Sequence, residues 1–372
     1  MELANEDLLR LNVLLAQHVE AIRIDEQALV VYGLLGNDEA HIALNPNCRP
    51  EQYLRRVREV LSNHALGSPG GYPAFLQRWT RMNQARGGQI EKLLLLGEPE
   101  AVVAVSGAAD LTAEFARRAW WCEPTIENAR RLLTHKAVAD SPMGKTLAAF
   151  LVEHLPFETD HLAVVATIKL ILKPDLIDEA TRRRIWSRAS HRNAYQLGFL
   201  AAAPGNLPDP LPARADFSAH AATLDTLARA GNPLAALMRT LMDTPGQTFL
   251  AACEDQLEHP IDKFTAANLL DVIGEFLAPA RMGPPATSIA MLRERAEAGY
   301  NASDDSMTTL REALPELRRE IVAMLALAQA SETLALPVIS QTTATGTLLR
   351  RKLAPVTDPL LEYCRALRGA PR

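Results

Sequence analysis

The chain has 372 residues, of which 48% are apolar and 22% charged, values of an ordinary globular protein that exclude a disordered or collagen-like chain. Ala and Leu supply about a third of it, against 19 Gly and 5% aromatics, and that bias favours helix. The formal charge of -5 is mild and argues against both a dedicated nucleic-acid binder and a membrane-surface protein.

Charge is unevenly spread. Residues 1–48 hold 2 basic and 8 acidic residues, 49–195 hold 21 and 16, and 196–372 hold 16 and 20, so the middle is weakly basic. Cys48, Cys122, Cys253 and Cys364 are far apart and include no C-x-x-C, which suggests reduced structural thiols rather than a disulfide framework or zinc ribbon. The start, MELANEDLLR, is acidic where a signal peptide would be basic, and apolar runs such as IVAMLALAQA fall short of the ~20 residues a membrane span needs. A cytoplasmic chain without a membrane span is expected.

In chain order, the roughly helical spacing of Leu8, Leu11, Val13, Leu15 and Val19 predicts a first helix over Asn5 to Glu20, with Asn5 and Asp7 as caps. Alternation through Ile22–Ile24 and Ala40–Leu44, around the run ALVVYGLL, predicts a three-strand meander. Pro50 starts a helix with Tyr53, Leu54, Val57 and Leu61 on one face and Arg55, Arg56 and Arg58 toward water. After GSPGGYP the pattern becomes short helices whose turns recur at Asp110, Asp140 and Asp175, as in stacked helical hairpins. Ser141-Pro142 reads as an N-cap followed by Pro, Asp175-x-x-Asp178 as a capping-box variant, and the nearly all-apolar LAVVATIKLIL belongs centrally in the stack.

Prolines 204, 208, 210 and 212 exclude a continuous helix and suggest a hinge. Beyond them, helices are expected to start near Asp216, Asn232-Pro233, Gln247, Ile261, Thr287 and Ser303. The run from Ser331 to Thr347 lacks helical period and reads as a loop or one short strand before closing helices around LLRRKL and LLEYCRAL. The expected architecture is mainly α: an α+β cap over 1–66, a HEAT-like helical-hairpin array over 67–210 and a helical domain over 211–372.

No pattern of reactive residues specifies a chemistry. Glu158-Thr-Asp-His161 is half of a di-iron helix motif, and no second copy exists. A metal there would fall first to Glu158, Asp160, His161 and His154, but a solvated acidic turn is the plainer reading. Asp255 and His259 stand four apart, a spacing typical of a surface contact. GSPGG at 67–71, with Arg78 and Arg81, could meet an anion, yet it matches no nucleotide motif and reads first as a linker. No G-x-S-x-G or H-E-x-x-H is present, and no catalytic residue, cofactor or metal is assigned.

The most suggestive pattern is paired arginine on successive helices: Arg117 and Arg118, Arg130 and Arg131, then Arg182 and Arg183. Register stacking would line them into a stripe facing phosphate or an acidic protein surface. The plainer alternative is solvated arginine whose stems cover apolar surface and whose charge pairs with Glu114, Glu127 and Glu179. Trp79, Trp120, Trp121 and Trp186 are expected mostly in the hairpin core.

The strings MELANEDLLRLNVLLA, GSPGGYPAFLQRWTRM, LLLLGEPEAVVAV, FARRAWW and LIDEATRR, between residue 1 and about 210, resemble the DsrS family, encoded with the dissimilatory sulfite reductase operon of sulfur-oxidising bacteria. The resemblance implies a cytoplasmic protein in the setting of stored-sulfur oxidation, accessory or regulatory rather than an electron carrier. No functional residue carries over with it. The expected activity is therefore non-catalytic, through a protein partner. The alternatives are an RNA- or DNA-binding regulator using the arginine stripe, and an enzyme whose site is too scattered to see.

Overall fold

The computed structural model describes residues 3–67, 91–188 and 193–370; they are mainly helical, with a three-stranded antiparallel sheet near the start. The chain divides into two units, Met1–Phe157 with Lys173–Ile177, and Glu158–Leu172 with Asp178–Arg372. The proline-rich segment 204–212 belongs to the second.

The first unit opens with α1 (Asn5–Ala16), shorter than its periodicity suggests because His18 takes a left-handed φ of 56° that a helix cannot continue. Asp7 is not a cap: it is fully buried, and its Oδ2 accepts hydrogen bonds from the Tyr53 hydroxyl at 2.5 Å and the Asn45 amide at 2.8 Å. Burial, reinforced by that bond, pushes the Tyr53 hydroxyl up to about 12. The meander follows as β1 (Ala21–Asp25), β2 (Val30–Leu35) and β3 (Asp38–Ala43), paired in that order with Ile22 opposite Gly33 and Val31 opposite Ile42. Asp25 Oδ1 holds the first turn by accepting from the Gln27 and Ala28 amides.

Helix α2 (Pro50–Leu66) buries Tyr53, Leu54, Val57 and Leu61 against Leu11, Leu14, Ile22 and Val31, as its apolar spacing requires. Arg58 departs from its expected place in water: it is half-buried and forms ion pairs with Glu26 and Glu98. The unit continues through α3 (Pro99–Ser106), α4 (Ala113–Cys122), α5 (Ile126–Thr134), α6 (Lys136–Ala139) and α7 (Pro142–His154). Thr112 and Thr125 cap α4 and α5, accepting from the Phe115 and Asn128 amides. Ser141 precedes Pro142 at the start of α7, but its hydroxyl donates back to the Val138 carbonyl at 2.7 Å instead of capping.

The second unit contains α8 (His161–Ile171), α9 (Glu179–Trp186) and α10 (Asn193–Ala202). Asp160 and Asp178 cap α8 and α9. The apolar α8 buries Val164, Val165, Ile168 and Ile171 and packs on α10. Irregular chain follows and is tied down where Leu211 N donates to Thr248 Oγ1 and Arg214 N to the Met242 carbonyl. Then come α11 (Phe217–Arg229), α12 (Pro233–Met242), α13 (Thr244–Glu258), α14 (Lys263–Phe276), α15 (Ile289–Tyr300), α16 (Asp305–Ala313) and α17 (Arg318–Ala328). In α17 every residue from Ala323 to Ala328 is buried, and the helix packs against α15 and the last helix.

Between Ser331 and Thr347 the chain forms a short 3-10 turn and α18 (Leu336–Ile339), not a strand. The two closing helices are one, α19 (Gly346–Leu367), running through Pro355 and Pro359. Its buried Leu349, Leu353, Val356, Leu360 and Cys364 keep helical spacing, while Pro355 faces outward, where water can reach the carbonyl its missing N–H leaves unpaired. All four cysteines are free thiols, and Cys122, Cys253 and Cys364 are buried. No helix among the described residues is long and apolar enough to cross a membrane.

Candidate functional site

The arginine pairs lie in local ion-pair clusters. In the first unit Arg117 and Arg118 of α4 converge on Glu20, at 2.9 and 3.1 Å, and on Glu114 of their own helix, at 2.7 and 2.9 Å. The bond from Arg117, backed by Arg118, outweighs burial and holds the Glu114 carboxyl down at about 2. Arg130 pairs with Glu127 at 3.4 Å, and Arg131 of the same helix is exposed. In the second unit Arg182 and Arg183 share Glu179, at 3.3 and 3.1 Å, and Arg182 also donates to the Asn206 carbonyl. Ion pairs open to solvent on their carboxylate side add little stability, but they neutralise guanidinium charge that a phosphate would otherwise meet. The GSPGG segment with Arg78, Arg81 and Trp79 lies outside the described residues beyond Gly67.

The described tryptophans are half-buried and not core: Trp120 meets Phe150 edge-on at 4.8 Å, Trp186 donates to Asp209 at 2.9 Å, and Trp121 donates to Glu39 at 3.0 Å. Trp121 and Tyr32 flank Arg23, whose guanidinium carbon is 5.0 and 4.7 Å from their ring centroids and which pairs with Glu39 at 3.3 Å. Local sequence gives no hint of this stack, since its members come from three elements.

Beside it a cavity of ≈ 360 Å³ is lined by Ile22, Tyr32, Glu98, Val102, Cys122 and Glu123, among others. Burial pushes the Cys122 thiol up to about 12, and the thiol donates weakly to the Ile22 carbonyl at 3.5 Å. Burial also pushes the Glu98 carboxyl up to about 7, with Arg58, 2.5 Å away, pulling against it. A carboxyl raised in the folded state holds its proton more tightly than in the unfolded chain. Stability is therefore undiminished below the ordinary value of 4.5 and declines as pH rises toward 7. Glu98→Gln is expected to raise unfolding stability by about 2 kcal/mol at pH 8 and to change it little at pH 5. Chemical denaturation at the two pH values checks this; an equal effect at both would refute it.

In the second unit a groove of ≈ 790 Å³ is lined by Glu297, Glu316, Arg318, Arg319, Tyr363 and Arg365, among others. Its arginines are engaged: Arg318 with Glu297 at 3.3 Å, Arg365 with Glu254 at 2.8 Å, and Arg319 with the Ala370 carbonyl at 2.8 Å. The Glu158–His161 segment is used for folding. Glu158 accepts from the Thr159 and Asp160 amides, Asp160 caps α8, and His161 Nδ1 bonds Asp262 Oδ2 at 2.7 Å. His154 belongs to the first unit, stacked on Phe150. Among the described residues no group of three or more His, Cys, Asp and Glu is placed to hold a metal ion.

Around the His161–Asp262 bond the second unit presents large apolar side chains to solvent: Phe264 is 54% exposed, Leu348 53%, Ile261 40% and Leu162 38%. Leu162 belongs to the apolar α8 and the others lie at helix starts, so sequence pattern alone would have assigned them to the interior. Compared with known proteins, the chain matches no family model, no curated protein and no solved structure.

Proposed function

We propose that this chain is a cytoplasmic accessory or regulatory protein of sulfur oxidation that works by protein–protein contact. The observation that carries the contact reading is the grouping of Phe264, Leu348, Ile261 and Leu162 on the surface of one unit, since clustered exposed apolar side chains mark interaction sites whereas scattered ones do not. The setting in sulfur oxidation rests on the resemblance of its N-terminal strings to the DsrS family.

The nucleic-acid reading is weakened by the carboxylates that already hold Arg117, Arg118, Arg130, Arg182 and Arg183. The test is capture on the tagged full-length chain from sulfur-oxidising cells that carry the dissimilatory sulfite reductase system, with and without nuclease. The expected result is the same sulfur-oxidation protein retained in both arms. Retention that disappears with nuclease would replace the proposal by the nucleic-acid alternative.

A further inference from the structure

The apolar patch on the second unit is bordered on its C-terminal side by basic residues. Residues 333–357 contain Arg350, Arg351 and Lys352 and no acidic residue. On α19, Leu348, Lys352 and Pro355 follow i, i+4, i+7 spacing and share one exposed face, with Arg351 at its edge. Gly346 N donates to the Ile261 carbonyl at 3.2 Å, which sets the start of that helix beside Ile261.

Thr342 joins the two sides of the patch. Its hydroxyl accepts from Lys352 Nζ at 2.8 Å, and its carbonyl accepts from Lys263 Nζ at 3.4 Å. Lys263 in turn lies 5.1 Å from the centroid of the exposed Phe264 ring. Both ammonium groups therefore stand at the edge of the apolar side chains.

The nearby acids are committed elsewhere. Asp262 accepts from His161 and from the Phe264 and Thr265 amides, and although burial raises its carboxyl, these bonds outweigh burial and hold it below the usual range. Asp160 caps α8. Arg350 and Arg351 are exposed and form no ion pair among the described residues. An apolar centre with a cationic margin repels a basic partner and attracts an acidic one.

We infer that this patch binds an acidic amphipathic protein segment, which seats apolar side chains on Phe264 and Leu348 and aims carboxylates at Arg351, Lys352 and Lys263. This rests on the protein-contact reading and adds the partner's chemistry. The mode is a helix laid along an apolar surface, with affinity from the buried side chains and register from the charges.

The probe is a fluorescent helix-forming peptide with Leu on one face and Glu on the other, compared with its Lys counterpart and a scrambled acidic control. Binding to the full-length chain is read by anisotropy at low and high salt. The Glu peptide is expected to bind about tenfold or more tighter than either control, more weakly at high salt, and about tenfold or more weakly to Phe264→Asp and to the double variant Arg351→Glu with Lys352→Glu. Circular dichroism confirms that each variant is folded, and Phe264→Ala replaces Phe264→Asp if it is not. No preference for the Glu peptide, or unchanged binding by folded variants, overturns the inference. So does capture of the chain by phosphatidylserine vesicles that the same substitutions abolish, which would assign the patch to membranes. If the peptide fails while a nuclease-resistant protein partner is still retained, only this inference falls and the proposed function stands.

Discussion

Replacing Arg214 by methionine is expected to cost the folded chain about 3–5 kcal/mol, the range for stranding one member of a buried ion pair. Arg214 is buried, and its guanidinium donates to Asp216 at 2.5 and 2.6 Å and to Glu320 of α17 at 3.1 Å. Burial disfavours its charge, but the Asp216 bonds outweigh that and hold its pKa above the ordinary value. The two acids differ in what they lose. The Asp216 side chain is 46% exposed and can turn to water, whereas that of Glu320 is 12% exposed and would keep a charge in a poorly solvated place. Arg214→Met with Glu320→Met removes both charges and is expected to recover most of the loss, because an apolar replacement of a whole buried pair is often close to neutral. Urea unfolding of the parent, both single variants and the double variant measures the coupling. A single-variant loss below about 1 kcal/mol would mean that water already reaches Glu320.

Sequence reading succeeds where contacts are local and fails where partners come from distant parts of the chain. Tyr53, Leu54, Val57 and Leu61 were legible as one buried face, since spacing within a single helix fixes it. The meander is local in the same way, whereas the cap expected at Asp175 falls on Asp178, because Asp175 takes a left-handed φ of 62°. Arg58 was misplaced in water because one of its partners, Glu26, comes from 32 residues away, and no helical wheel registers that. Glu20 was invisible as the counter-charge of Arg117 because the two are 97 residues apart. The closing helices expected around LLRRKL and LLEYCRAL are one, because α19 continues through Pro355 and Pro359 with its face from Leu349 to Leu367 buried. The candidate patch was hidden for the same reason, being assembled from α8, the start of α14 with Ile261 before it, and the start of α19.

Gly274→Ala is expected to destabilise the second unit by about 3 kcal/mol, the upper end of what overpacking a core costs. In a helix interior the same change normally stabilises, by up to about 1 kcal/mol, so the sign is the test. Gly274 lies in α14, and a Cβ built there would stand 2.0 Å from the Ala330 carbonyl oxygen, with Arg281 Nη2 at 2.8 Å. The oxygen belongs to the backbone just after α17, where Ala330 is fully buried, and Arg281 is fastened by its Nε to the Ala328 carbonyl at 2.7 Å. Neither neighbour can rotate away, so a helix or the chain leaving α17 must shift. Gly299 of α15 is the matched control. A Cβ there would meet the Met282 sulfur at 2.8 Å, the flexible end of a side chain that is 45% exposed and free to turn outward. Gly299→Ala is therefore expected to be neutral or stabilising under the same denaturant titration. Equal effects at the two positions would show that α14 and the segment after α17 are not in contact through Gly274.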